Sequence, residues 1–246
     1  MPLYSPSSRN SHAFLSRIWQ DREHLSETEY KGFVQFFYLM LCGHTECVIA
    51  EIIRIRLEHV KVAIRHSSVA PVQFKTGDHV ETVSSAPLVD SVLQLTEAIR
   101  REAQTAPLRK LIELIPKVFP CKLKDVIGDS SVADLEALAA LRNLFAHSRD
   151  FVVEFELSSS AISDLGPLEK PIKVLKSANL VSNEPFGGRN WNELVDAIHS
   201  DEALRYFYKA AQRIELEIYK LGTYGPSNFN IRRLPPLPDI DTEASV

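Results

Sequence analysis

Three side chains able to handle a phosphate and a proton fall within one short string, Leu141-Arg142-Asn143-Leu144-Phe145-Ala146-His147. Arginine brings a permanent charge and a planar fork that fits phosphate oxygens. Histidine titrates near neutrality and can move a proton either way. Asparagine orients by hydrogen bonding without titrating. On a helix, Asn143 and His147 share a face. Arg142 is rotated from Asn143 by about 100°, an arc that a long side chain can partly recover. His147 falls where the last turn of a helix exposes its carbonyls, which favours the imidazolium form. The set suits metal-free cleavage of RNA. The ribose 2′-OH attacks the neighbouring phosphorus, His147 handles a proton, and Arg142 stabilises the charge that builds on the phosphate. The products would be a 2′,3′-cyclic phosphate and a 5′-OH.

Spacing alone is a loose signal. Two cations near a helix C-terminus also make ordinary electrostatic sense. Arginine followed by histidine at short spacing recurs at Arg54 to His59, with four residues between, and at Arg17 to His24, with six. The string at 142–147 differs in having a polar residue directly after the arginine, where Ile55 follows Arg54. It also differs in its apolar flanks.

The helix carrying this string is expected from about Val132, after the turn and cap cluster Gly128-Asp129-Ser130-Ser131. Val132, Leu135, Leu138, Leu141, Leu144 and Phe145 form its apolar side. A long early helix is expected from a cap at Ser26 or Thr28, with Glu27 and Glu29 in its first turn. Its apolar positions keep helical spacing from Phe33 to Ile64, and Gly43 is a candidate break. Residues 67–86 read as a polar loop, with Val80–Val83 as a brief strand. Further helices are expected from Pro87 to about Gln104 and between Pro107 and Pro116. Phe151–Leu157 has strand composition. Residues 171–180 are of open type. Helices follow over 190–200 and from Asp201 to about Leu221.

The division expected is a disordered N-terminus over 1–10, a helical domain over 11–221 and a Pro-rich tail over 222–246. Within the tail, Arg232-Arg233-Leu234-Pro235-Pro236-Leu237-Pro238 fits the polyproline pattern that SH3 domains bind, or an extended strap against the domain. The fold class expected is all-α, with extra helices and a short strand segment beside the core.

Composition is that of a globular domain: 246 residues, 45% hydrophobic, net charge −4. That charge gives no global attraction to nucleic acid or anionic membrane, so RNA binding would need a local patch. Cys42, Cys47 and Cys121 are odd in number and lack CxxC spacing, which predicts reduced thiols rather than a disulfide framework or zinc site. No leader pattern opens the sequence. The apolar run Phe33–Cys42 is shorter than a bilayer span, so a cytoplasmic location and no membrane contact are expected. Patterns for a P-loop, GxGxxG, GxSxG and HExxH are lacking. No metal and no cofactor are expected. His44 and Glu46 lie two residues apart on the early helix and cannot share a face.

The string Leu-Arg-Asn-Leu-Phe-Ala-His resembles the signature of the HEPN family (higher eukaryotes and prokaryotes nucleotide-binding domains). That signature is an arginine, a polar residue and a histidine after four to six residues in all, matched by Arg142, Asn143 and His147. The resemblance covers about residues 30–150 and includes His44-Thr45-Glu46 on the early helix, where some HEPN families carry a similar element. It implies a bundle of about four core helices and a homodimer whose motif helices form one composite site. It implies a metal-independent endoribonuclease in a toxin–antitoxin, phage-defence or CRISPR setting. Arg142, Asn143 and His147 would be catalytic, His44 and Glu46 accessory, RNA the substrate and a cognate antitoxin a further partner. Other members of the family only bind nucleotide or protein, which is the alternative.

Overall fold

Glu27–His66 form one helix of 40 residues, α1, about 60 Å long. A reciprocal cap starts it: the Ser26 backbone N–H donates to Glu29 Oε2 at 2.8 Å, and Glu29 N–H donates to Ser26 Oγ at 3.4 Å. The computed structural model describes residues 17, 19–20, 22–66, 72–76, 79–83, 86–146, 154–155, 162–182 and 191–223. The expected disordered N-terminus, the Pro-rich tail beyond Thr223 with its polyproline string, and His147 lie outside the described residues.

The architecture is all-α. After α1 come α2 (Ala86–Thr105), α3 (Leu108–Val118), α4 (Leu123–Ile127) and α5 (Asp129–Ala146). These are followed by α6 (Glu169–Ser177), α7 (Trp191–Ile198) and α8 (Asp201–Ile218). Two small antiparallel ribbons accompany the helices. β1 (Val72–Thr76) pairs with β2 (His79–Val83), and β3 (Glu154–Phe155) pairs with β4 (Ile162–Asp164). The expected strand at Val80–Val83 belongs to β2. Of the segment expected as a strand over Phe151–Leu157, only Glu154–Phe155 is described, and it is strand.

Packing is organised by α1, which touches α2, α3, α5 and α8. Val34, Phe37, Tyr38, Leu41, Ile49 and Ile53 are fully buried along it, at helical spacing. The facing helices contribute Leu111 and Leu114 from α3, Leu135 and Leu141 from α5, and Leu204 and Phe207 from α8. By length and apolarity alone α1 could cross a bilayer, since its apolar window extends beyond Phe33–Cys42; 56% of that window is buried within the fold.

Polar contacts fix how the helices meet. Buried Asp134 on α5 accepts from Tyr206 Oη at 2.7 Å and from Arg213 Nη2 at 2.6 Å, both on α8. Asp201, in the first turn of α8, accepts from Arg22 Nε at 3.1 Å and from the Tyr30 hydroxyl. Trp19 is buried with the Arg22 guanidinium 4.3 Å from its ring centroid and Phe37 packed beside it. The N-terminal turn is thereby attached to the start of the last long helix.

Four expectations change in detail. Val72–Thr76, read as part of a polar loop, form strand β1. Gly43 does not break α1, which runs through it. Helix α3 continues through Pro116 to Val118 rather than ending there. A short helix, α4, lies over Leu123–Ile127, for which no element was expected. It ends at Gly128, whose φ of 81° suits glycine, and the Gly128 carbonyl accepts from Val132 N–H as α5 begins. A Cβ placed on Gly43 would meet nothing within 4 Å. Gly43→Ala should therefore raise unfolding stability by about 0.5–1 kcal/mol through helix propensity, read from urea denaturation. An unchanged or lower midpoint would place a functional or strained break there.

Candidate functional site

Arg142 and Asn143 stand on the last turn of α5, with Arg142 half-buried and Asn143 exposed. The guanidinium has swung back along the helix: Arg142 Nη1 donates to Asn143 Oδ1 at 3.0 Å. The 100° between them is thus recovered by side-chain length, and two of the three motif groups form one cluster. His147 follows Ala146, the last residue of α5, and lies outside the described residues.

The end of α5 is anchored by Phe145. Its ring stacks on Tyr38 of α1, centroids 5.9 Å apart and 14° between planes. Tyr38 is fully buried and donates from its hydroxyl to the Ile198 carbonyl at 3.0 Å, at the end of α7. His199, next in the chain, meets Phe145 edge-on at 5.9 Å. The alternation of apolar Leu141, Leu144 and Phe145 with polar Arg142 and Asn143 therefore turns one side of the last turn inward and leaves the other open.

His44 and Glu46 part company, as a two-residue spacing on a helix requires. His44 is buried, and its Nε2 lies 3.4 Å from Glu215 Oε2 on α8, also buried. Glu46 points the other way and accepts from the Leu108 backbone N–H at 2.8 Å, closing the start of α3. Glu46 shares one neighbour with the motif arginine. The buried Cys42 thiol, on the same turn of α1, is pushed up to about 12, chiefly by burial and further by Glu46, while the Arg142 guanidinium acts in the opposite direction. Both charges thus reach one thiol. Glu46 ties α1 to the start of α3, whereas His44 faces the α1–α8 seam. Among the described residues no three histidine, cysteine or acidic side chains gather as a metal site would require.

The arginines of the two repeated spacings are placed differently. Arg54 is held by both oxygens of Glu51, at 2.6 and 2.7 Å. Arg17 is exposed. What sequence reasoning missed is a cavity of about 560 Å³ that includes Asn143 among its walls, built by α3, α5 and the turn before α6. Its lining comes from three separated segments, and no periodicity within any one of them signals it. Compared with family models, curated proteins and solved structures, the chain matches none.

Two outcomes test this arrangement. His44 and Glu215 form a buried polar pair, so His44→Leu or Glu215→Leu alone should lower stability by about 2–4 kcal/mol, with the double substitution recovering most of it. Strictly additive losses would show that the two do not act as a pair. Separately, burial holds the His199 imidazole below the ordinary 6.5, opposed by the Val195 carbonyl and aided by Lys31. A histidine lowered in the fold contributes stability that is full above the unfolded value and is lost as pH falls through the folded one. Urea midpoints should therefore drop between pH 7.5 and 5.5, and His199→Gln should flatten that slope.

Proposed function

We propose that this chain is a metal-independent endoribonuclease of HEPN type, acting as a homodimer with the motif helices of two copies forming one site. The reading is supported by the contact that joins Arg142 to Asn143 on the open side of α5. That contact presents a cation and an orienting amide together at the residues where the family string falls. In the reaction, the 2′-oxygen forms a bond to phosphorus and the P–O5′ bond breaks. His147 takes the 2′-OH proton, and the second copy's His147 gives a proton to the leaving 5′-oxygen. Arg142 stabilises the added negative charge on the phosphate oxygens, and Asn143 holds the guanidinium in place. Glu46 acts as a positioning residue through α3. RNA is the substrate, a cognate antitoxin is a fitting protein partner, and the setting is cytoplasmic, in toxin–antitoxin or phage-defence systems.

A non-catalytic module that binds nucleotide or a partner protein is the second reading, favoured by the net charge of −4, which offers RNA no broad attraction.

Purified full-length protein incubated with RNA in EDTA should release 2′,3′-cyclic phosphate and 5′-OH ends. Arg142→Ala and His147→Ala should each reduce the rate by about 100-fold or more without lowering the melting temperature. Cleavage that needs a divalent cation would overturn the mechanism. Absence of cleavage with intact nucleotide binding would select the second reading.

A further inference from the structure

The cavity beside Asn143 has the makings of a selective subsite. Its floor is apolar, from Leu108 and Ile112 on α3 and Leu135, Ala139 and Ala140 on α5. The two alanines keep the α5 side low, so a flat group can lie against it. At about 560 Å³ the space falls within the range of roughly 300–1,000 Å³ that holds small ligands. Asn143 belongs to both features: its Oδ1 accepts from Arg142, which leaves the amide nitrogen as its main donor toward a ligand in the cavity.

The rim decides which part of a nucleotide can enter. Glu113, Glu136 and Glu169 stand against Arg109 and Lys170. Lys170 Nζ is taken by Glu136 Oε2 at 2.6 Å, and Arg109 Nε lies 3.6 Å from Glu113 Oε1. Glu169 has no ion-pair partner among the described residues. An excess of carboxylate repels a phosphate, so an anionic group is better placed at Arg142, which bonds Asn143 but does not line the cavity. A neutral, planar group with an acceptor at one edge and an N–H donor at another fits: apolar contact below, an acceptor for the Asn143 amide nitrogen and a donor for the Glu169 carboxylate at the rim.

We infer that this cavity takes the base of the nucleotide flanking the phosphate held at Arg142, and that it favours bases with an exocyclic amino group over uracil. Adenine, cytosine and guanine present an exocyclic amino group with two N–H donors to a carboxylate, whereas uracil has only its ring N3–H, flanked by two carbonyl oxygens that a carboxylate repels. The inference rests on the ribonuclease reading for the position of the phosphate, but the subsite can be tested apart from cleavage.

The experiment uses the full chain, with Ala140→Phe to fill the cavity and Glu169→Gln, an exposed change that leaves the core untouched, to remove the acceptor charge. Melting temperatures establish folding. Short RNAs differing in the base beside the cut site are compared by KM, and adenosine, cytidine, guanosine and uridine are titrated separately by calorimetry or NMR. The expected result is a preference against uridine, a KM raised about tenfold by Ala140→Phe, and a weakened preference in Glu169→Gln. Cleavage that proceeds with KM and base preference unchanged in both folded variants overturns the subsite and leaves the ribonuclease reading standing. Absence of cleavage with nucleoside binding that both variants weaken supports the subsite and overturns the ribonuclease reading. Absence of both cleavage and nucleoside binding overturns both. If Ala140→Phe fails to fold, base preference in Glu169→Gln decides alone.

Discussion

Burial of one face of α1 is the constraint from which the other helices take their positions. An apolar stripe running through a 40-residue helix cannot be shielded by its neighbours in sequence, so it recruits helices from across the chain. Helices α3, α5 and α8 cover its inner half, and α2 runs beside it. The polar contacts then set register rather than supply the driving force. Asp134 joins α5 to α8, Glu46 joins α1 to α3, and Asp201 gathers Arg22 and Tyr30. Each of these carboxylates reaches a donor far away in sequence, so each fixes a tertiary relation that the apolar pattern alone would leave free to slide.

The end of α5 inherits its orientation from this arrangement. Phe145 stacks on Tyr38, and Tyr38 is itself tied to Ile198, so the last turn of the motif helix is held from two sides. A helix end secured in this way can present Arg142 and Asn143 outward without fraying. The same packing puts the Cys42 thiol of α1 within electrostatic reach of the arginine. A short string in the sequence thus acquires neighbours from α1 that sequence proximity does not supply.

Legibility followed the range of the physics. The helical spacing of Phe33 to Ile64 announced α1, and the Gly-Asp-Ser-Ser cluster announced the start of α5, because both are local patterns. The separation of His44 from Glu46 was also legible, since it follows from helix geometry alone. Gly43 misled because a glycine in a helix that packs well on both sides of it costs too little to break the helix. The α4 helix escaped notice because five residues are too few to show a period. Segment 171–180 was ambiguous because α6 begins two residues earlier, at Glu169, and a proline in the first turn gives up no helical hydrogen bond. The cavity next to Asn143 had no trace in the sequence, since it exists only where three distant segments converge.

The carboxylate of Asp201 has a consequence for how the chain is made. Tyr30 and Arg22 lie 171 and 179 residues before the group that holds them. At synthesis rates of about 5–20 residues per second, α1 leaves the ribosome on the order of ten seconds before α8 is available to cover it. During that interval the longest helix among the described residues has only its early neighbours for shelter. The buried face of α1 is therefore covered in full only once α8 has been made and Asp201 can reach Arg22 and Tyr30.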